Sequence, residues 1–287
     1  MSGGARLHER GYRHYEGPRG GTAAAMRSVG LLSLQRTLGL RRSVWAKIPP
    51  WTIIALAFVP ALVYAALGAL IPDEAIDIIP DYPEFYGFIG VLMLLFAAWA
   101  APEALSDDRR TGMLGIYLAS PLDRQTYLLA KSTAIAAGLL AVTLGPMAFL
   151  LVARLLAGTG PSVEDLPLLV VRIVVTAVVL AALFGLFGAA VAALADRRPV
   201  AVAGVVLVAL VLAAVAAVMA ETAEYPDWVY SIDIFSVSED AVNVIWDQGD
   251  PTNTGLPAAG VAAVVAAWLA LTAALVWVRY RRLDVTR

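Results

Sequence analysis

The chain has 287 residues, 60% of them hydrophobic and only 15% charged, with a mean hydropathy of +0.75 and a formal net charge of −2. Soluble domains carry about 45–50% apolar and about 25% charged residues, so both departures place this chain in a lipid bilayer. At about 20 apolar residues per helix, six spans use roughly 120 residues and leave no room for a separate soluble catalytic domain, while the lack of cysteine excludes disulfides, thiol catalysis and Cys-ligated zinc.

Residues 1–25 are rich in Gly and Arg with aromatics between them, as in Gly11-Tyr12-Arg13-His14-Tyr15. Such a segment reads as a flexible basic tail drawn to anionic lipid, or as one that docks on a cytoplasmic partner. Its charge is what a cytoplasmic flank of a membrane protein carries, so nucleic acid is not needed to explain it. From 26 to 47, Leu31, Leu34, Leu38 and Trp45 recur at helical spacing among Arg27, Arg36, Arg41, Arg42 and Lys47. This pattern predicts an amphipathic elbow helix in the inner membrane interface, ended by Pro49-Pro50. About fifty polar or amphipathic residues precede the first apolar run, so a cleavable signal peptide is not expected.

Residues 48–287 form the membrane domain. Apolar runs predict six spans at about 49–71, 85–104, 126–156, 166–195, 199–220 and 256–279. The charged break Asp196-Arg197-Arg198-Pro199 separates the fourth from the fifth, and Pro60 and Pro146 predict bends inside the first and third. Lys and Arg crowd the first fifty residues and the C-terminal Arg279-Tyr280-Arg281-Arg282, so both termini are expected in the cytoplasm. The loop with Asp73, Glu74, Asp77, Asp81 and Glu84 has no Lys or Arg, and neither has the segment 221–255 with Glu221, Glu224, Asp227, Asp233, Glu239, Asp240, Asp247 and Asp250. Both are expected outside, and six spans satisfy every segment. The fold class predicted is an all-α integral membrane protein with six transmembrane helices.

Between spans two and three, Glu103 and the charges Asp107-Asp108-Arg109-Arg110 are followed by Thr111-Gly112-Met113-Leu114-Gly115-Ile116-Tyr117 and then Ser120-Pro121-Leu122. Thr111 can cap a short helix from Gly112 on which Met113, Ile116 and Tyr117 share a face. Two turns are too short to cross a bilayer and marginal in water, so this face packs on the protein's own span ends or lipid, or meets a separate cytoplasmic subunit. The stretch, with Lys131 a few residues into the next span, resembles the first intracellular loop of ABC-2 type transporter permeases. The basic N-terminal segment, the six spans, the outer segment before the last span and the basic end fit the same plan, so the resemblance covers nearly the whole chain. It implies a short cytoplasmic coupling helix that docks in an ATP-binding cassette subunit, with Asp108, Arg109, Arg110, Thr111, Gly112, Met113, Leu114, Ile116, Tyr117 and Pro121 as the coupling residues. Where the family often has Glu, this chain has Asp107 and Asp108, so individual salt bridges are not carried over.

No G-x-x-x-x-G-K-[ST] loop occurs, so the resemblance implies that ATP and Mg are bound by a partner subunit, in two copies, and this chain is not expected to be an enzyme. There is no G-x-S-x-G or H-E-x-x-H, and the two histidines, His8 and His14, lie in the tail, so no catalytic, cofactor or metal site is predicted. No Asp or Glu falls at mid-membrane in any run, which argues against proton coupling. Arg154 and Arg172, near outer span ends, either snorkel or pair with Glu164 and Asp165, or help release substrate. Gly185, Gly188, Ala189, Ala192 and Gly204 read as internal packing, with a dimer seam as the alternative. Ser238-Glu239-Asp240 predicts the start of a short outer helix. These readings converge on a permease subunit in a bacterial plasma membrane that exports a hydrophobic or amphipathic substrate, paired with a second permease of the same or a homologous chain. The rivals are a secondary transporter or channel without an ATPase, and a membrane scaffold or immunity factor that does not transport.

Overall fold

In the computed structural model, residues 17, 20–40, 42–70, 81–110, 112–118, 120–249 and 253–282 are described. Most of the tail 1–25, Asp73, Glu74, Asp77, Thr111 and Asp250 therefore lie outside the described residues, as do the side chains of Asp107, Arg109, Arg110 and Leu114. The described residues are helical, with no strand among them: α1 (Thr22–Thr37), α2 (Val44–Leu70), α3 (Tyr82–Arg110), α4 (Met113–Leu118), α5 (Arg124–Leu156), α6 (Leu166–Leu194), α7 (Arg198–Ala217), α8 (Ile234–Trp246) and α9 (Ala258–Arg281). A π-helical turn (Val218–Thr222) and a 3-10 turn (Asp227–Ile232) join α7 to α8.

Six of these helices, α2, α3, α5, α6, α7 with its π turn, and α9, are long and apolar enough to cross a membrane. Their order matches the six apolar runs. α3 is the central one: it packs against α2, α5, α6 and α7, whereas most of α2, α7 and α9 faces outward. Small residues bring α3 and α6 together, because a Cβ on Gly188 would stand 3.1 Å from the Ala97 Cβ and 3.2 Å from the Ala97 carbonyl oxygen. The glycines of α6 thus serve packing within the chain. Pro60 and Pro146 lie inside helices that continue through them.

Three elements differ from the sequence expectation. The helix expected as an elbow over 26–47 ends at Thr37, and α2 already begins at Val44 with Pro49 and Pro50 inside it. The reversal occurs at Leu38-Gly39-Leu40, where Gly39 has φ +67° and a Cβ would stand 2.3 Å from the Ala46 carbonyl oxygen, a place only glycine fits. The carbonyls left open at the end of α1 are taken by indoles: Trp99 Nε1 donates to Thr37 O at 2.9 Å and Trp51 Nε1 to Leu38 O at 3.1 Å. The face of α1 turned toward α3 and α5 is Val29, Ser33 and Thr37, while Leu31 and Trp45 are exposed, so the leucine stripe does not define the inner face.

Second, α3 runs on to Arg110, so Glu103 to Arg110 form its last two turns, not a loop. Third, α8 begins at Ile234, ahead of Ser238: Asp233 caps it, its carboxylate accepting from the amides of Phe235 and Ser236 at 3.1 Å each and from Ser236 Oγ at 2.7 Å. α8 then lies across the ends of α3 and α6, with Trp246 stacked on Tyr82 (5.9 Å) and donating to Thr176 Oγ1 at 3.0 Å. Asp240, fully buried, holds the returning chain by accepting from the Thr254 amide at 3.0 Å and from Asn253 Nδ2 at 3.2 Å. The bundle thus has an acidic end, closed by α8, and a basic end that carries α1, α4 and the α6–α7 turn.

Candidate functional site

At the basic end, α3 carries two carboxylates that the fold hides from solvent: Glu103 is 1% exposed and Asp108 0%. A buried charge persists only when paired and hydrogen-bonded. Each of these is met by two cations, one from the N-terminal segment and one from a membrane helix. Asp108 Oδ1 accepts from Arg36 of α1 at 3.2 Å. Its Oδ2 lies 2.5 Å from Lys131 Nζ of α5 and accepts from the Tyr127 hydroxyl at 2.9 Å. Glu103 Oε1 accepts from Arg42, in the α1–α2 connection, at 2.5 Å, and Oε2 lies 2.6 Å from Arg198 at the start of α7. The Arg198 contact is ionic in distance but not aligned as a hydrogen bond, and its guanidinium rests on the Trp99 ring at 4.5 Å.

These pairs explain why α3 does not end where its charges begin. The carboxylates are neutralised by Lys131 and by three arginines 61–95 positions away, so the helix carries them inside the bundle. Two further polar contacts tie the same stretch to its neighbours: Ser106 Oγ donates to Ala192 O of α6 and the Tyr280 hydroxyl to Leu105 O, both at 3.3 Å. Glu103 to Asp108 is therefore the point where α1, α5, α6, α7 and α9 meet α3.

α4 hangs from this junction. Gly112 turns the chain with φ +72° and opens onto free space. Met113 and Tyr117 are half-buried, and Tyr117 packs on Tyr127 (5.8 Å) and lies 5.4 Å from Lys131 Nζ. Burial pushes the Tyr117 hydroxyl above its ordinary pKa. Ile116, expected on the same face, points away and is 65% exposed. Adjacent helical residues point about 100° apart, so a helix rolled to set Tyr117 on α5 leaves Ile116 outward. Pro121 is exposed in the turn that follows, after Ser120 Oγ donates back to Tyr117 O at 2.5 Å. Asp123 then caps α5: its carboxylate accepts from the Thr126 amide at 2.7 Å, and the Thr126 hydroxyl accepts from the Asp123 amide at 2.9 Å.

Of the residues singled out in the sequence, Asp108 is the buried anchor of the junction. Gly112, Ile116 and Pro121 are its exposed rim, and Met113 and Tyr117 join the two. Arg109, Arg110 and Leu114 belong to α3 and α4 by backbone, and Thr111 lies outside the described residues. Arg36, Arg42, Glu103, Tyr127 and Arg198 were not singled out as partners. The available signal was a carboxylate within an otherwise apolar run, which demands a cation from elsewhere in the chain. At the other end Arg154, read against Glu164 and Asp165, lies over the Tyr82 ring at 4.6 Å. Among the described residues no group of three or more His, Asp or Glu could hold a metal ion.

A family model described as ABC-2 family transporter protein matches residues 21–285. No curated protein matches the chain.

Proposed function

Because the chain belongs to the ABC-2 family of transporter proteins and is a multi-pass permease subunit of an ABC transporter, we propose that α4 is the surface on which a separate ATP-binding subunit docks, and that the carboxylates of α3 pass its movement into the bundle. The observation that carries this is the two-sided α4: Ile116 is 65% exposed, while Tyr117, one residue on, is packed on Tyr127 beside the Asp108–Lys131 pair.

A short helix alone is marginal, so displacement of α4 by a partner is transmitted only as far as its anchors are stiff. The anchor is Tyr117 on α5 together with the continuous backbone from α3. From there Asp108 links α3 to α5 and α1, and Glu103 links α3 to α7 and the α1–α2 connection. Ion pairs in a low-dielectric layer are strong and directional, so these helices move as a body, not one by one. ATP and Mg bind on the partner, and this chain contributes no catalytic group to hydrolysis.

In this reading the basic end is cytoplasmic and the acidic end outside, the membrane is the bacterial plasma membrane, and the direction is export of an apolar or amphipathic molecule. The complex contains two ATP-binding subunits and a second permease, the same or homologous, against the outward apolar faces of α2, α7 or α9. Replacing Ile116 by Asp tests the docking surface, because the side chain touches little of its own chain. Ile116→Asp is expected to remain in the membrane at the wild-type level yet lose co-purification with the ATP-binding subunit and ATP-dependent efflux. Efflux at the wild-type rate would overturn the proposal and favour a transporter that runs without an ATPase.

A further inference from the structure

The acidic end holds a cavity of about 310 Å³ between the first turns of α3, the middle of α6 and α8. Its volume is within the range of small-molecule sites, about 300–1,000 Å³. It exists because α3 has no side chain there: a Cβ on Gly87 would meet nothing within 4 Å, and one on Gly90 would stand 3.8 Å from the Phe235 ring. Aromatic rings from three elements line it, Tyr86 of α3, Phe184 of α6 and Phe235 of α8, the last two 6.2 Å apart.

The charges on its wall are of one sign. Glu84 and Glu239 both line it, and no Lys or Arg does. Glu239 accepts one hydrogen bond, from Asn253 Nδ2 at 3.1 Å, and Glu84 has no ion pair or hydrogen bond among the described residues. Arg154, the basic residue near this end of α5, is engaged over the Tyr82 ring and is not among the lining residues. Two carboxylates facing a pocket with aromatic walls supply both a counter-charge and ring faces with negative quadrupole, which together favour a poorly hydrated cation over a small, strongly hydrated one. An anion is repelled by the same wall.

We propose that this cavity binds a hydrophobic organic cation, a quaternary ammonium or phosphonium group carrying an aromatic or branched apolar substituent. Its place as the last stop of an exported molecule rests on the permease reading; the binding itself does not. The test uses the full chain in phosphatidylcholine nanodiscs, whose lipid is zwitterionic, and measures calorimetrically the binding of benzyltrimethylammonium and of phenylmethanesulfonate, an anion of similar size and shape.

The cation is expected to bind at least tenfold more tightly than the sulfonate. The double change Glu84→Gln, Glu239→Gln should lower the cation's affinity tenfold or more. Gly87→Leu, which fills open space and removes no charge, should abolish binding and keeps the test decisive if the double variant fails to fold. Equal affinity for the two probes, or cation binding unchanged by Gly87→Leu, overturns the proposal. Binding with these properties in a chain that supports no ATP-driven efflux would uphold the site and count against the transport reading alone.

Discussion

Lys131 and Asp108 meet at 2.5 Å with 1% of each side chain exposed, so neither can turn to water if the other is removed. Lys131→Met leaves Asp108 with Arg36, which is itself 30% exposed, and with the Tyr127 hydroxyl. Breaking a buried pair from one side typically costs about 3–5 kcal/mol, because the surviving charge stays desolvated. Lys131→Met and Asp108→Asn are each expected to destabilise the protein on that scale, and the double variant is expected to cost less than the sum of the two. Unfolding titrations of the four proteins in mixed micelles measure this coupling. Strict additivity would mean that the pair does not act as a unit, and would count against the transmission proposed for the junction.

At the scale of elements, α5 starts from a cap whose strength depends on pH. The amide of Thr126 and then its hydroxyl donate to the Asp123 carboxylate and hold its pKa below the ordinary aspartate value. A group with a depressed folded-state pKa stabilises above its unfolded value, and that stabilisation is lost as pH falls through the folded one. Amide exchange at Thr126, corrected for intrinsic rates, should therefore lose protection only below the ordinary aspartate range. In Asp123→Asn the acid-dependent loss should vanish; an identical pH profile in both proteins would rule out the cap as its source. Elements were legible in the sequence wherever one apolar run makes one helix, which is why the spans of α5, α6 and α9 fall close to their expected bounds. They were misread where a distant partner decides. Glu103 to Arg110 looks like a loop because Arg36, Arg42 and Arg198, which let α3 carry its carboxylates, lie 61–95 residues away. Pro49-Pro50 looks like the end of the elbow because a proline pair is visible locally, whereas the clash that requires glycine at position 39 involves the carbonyl of Ala46. The site was legible in the same uneven way. Gly112 to Pro121 stood out by resemblance, but nothing local distinguishes the buried anchor Asp108 from its neighbours.

For the whole molecule, the small net charge of −2 hides a separation of charge along the bundle. Arg36, Arg42, Arg124, Arg197, Arg198, Arg279 and Arg281 belong to the end that carries α4, and Glu84, Glu164, Asp165, Glu221, Glu239 and Asp247 to the end closed by α8. Translocation of basic flanks is disfavoured, so the proposed function predicts from this polarity that α4 lies in the cytoplasm, within reach of an ATP-binding subunit, and that the Glu84 and Glu239 cavity faces out. The native chain has no cysteine, so a single introduced thiol reports its side without background. Val163, 88% exposed in the α5–α6 connection, and Ile116, 65% exposed on α4, lie at opposite ends and are free of packing that a small thiol would disturb. In intact cells a membrane-impermeant maleimide is expected to label Val163→Cys at once and Ile116→Cys only after permeabilisation. The reverse pattern would invert the protein in the membrane and place α4 where no ATP-binding subunit exists. Labelling of both positions in intact cells would mean that α5 does not cross the membrane, and the charge polarity would then have another cause.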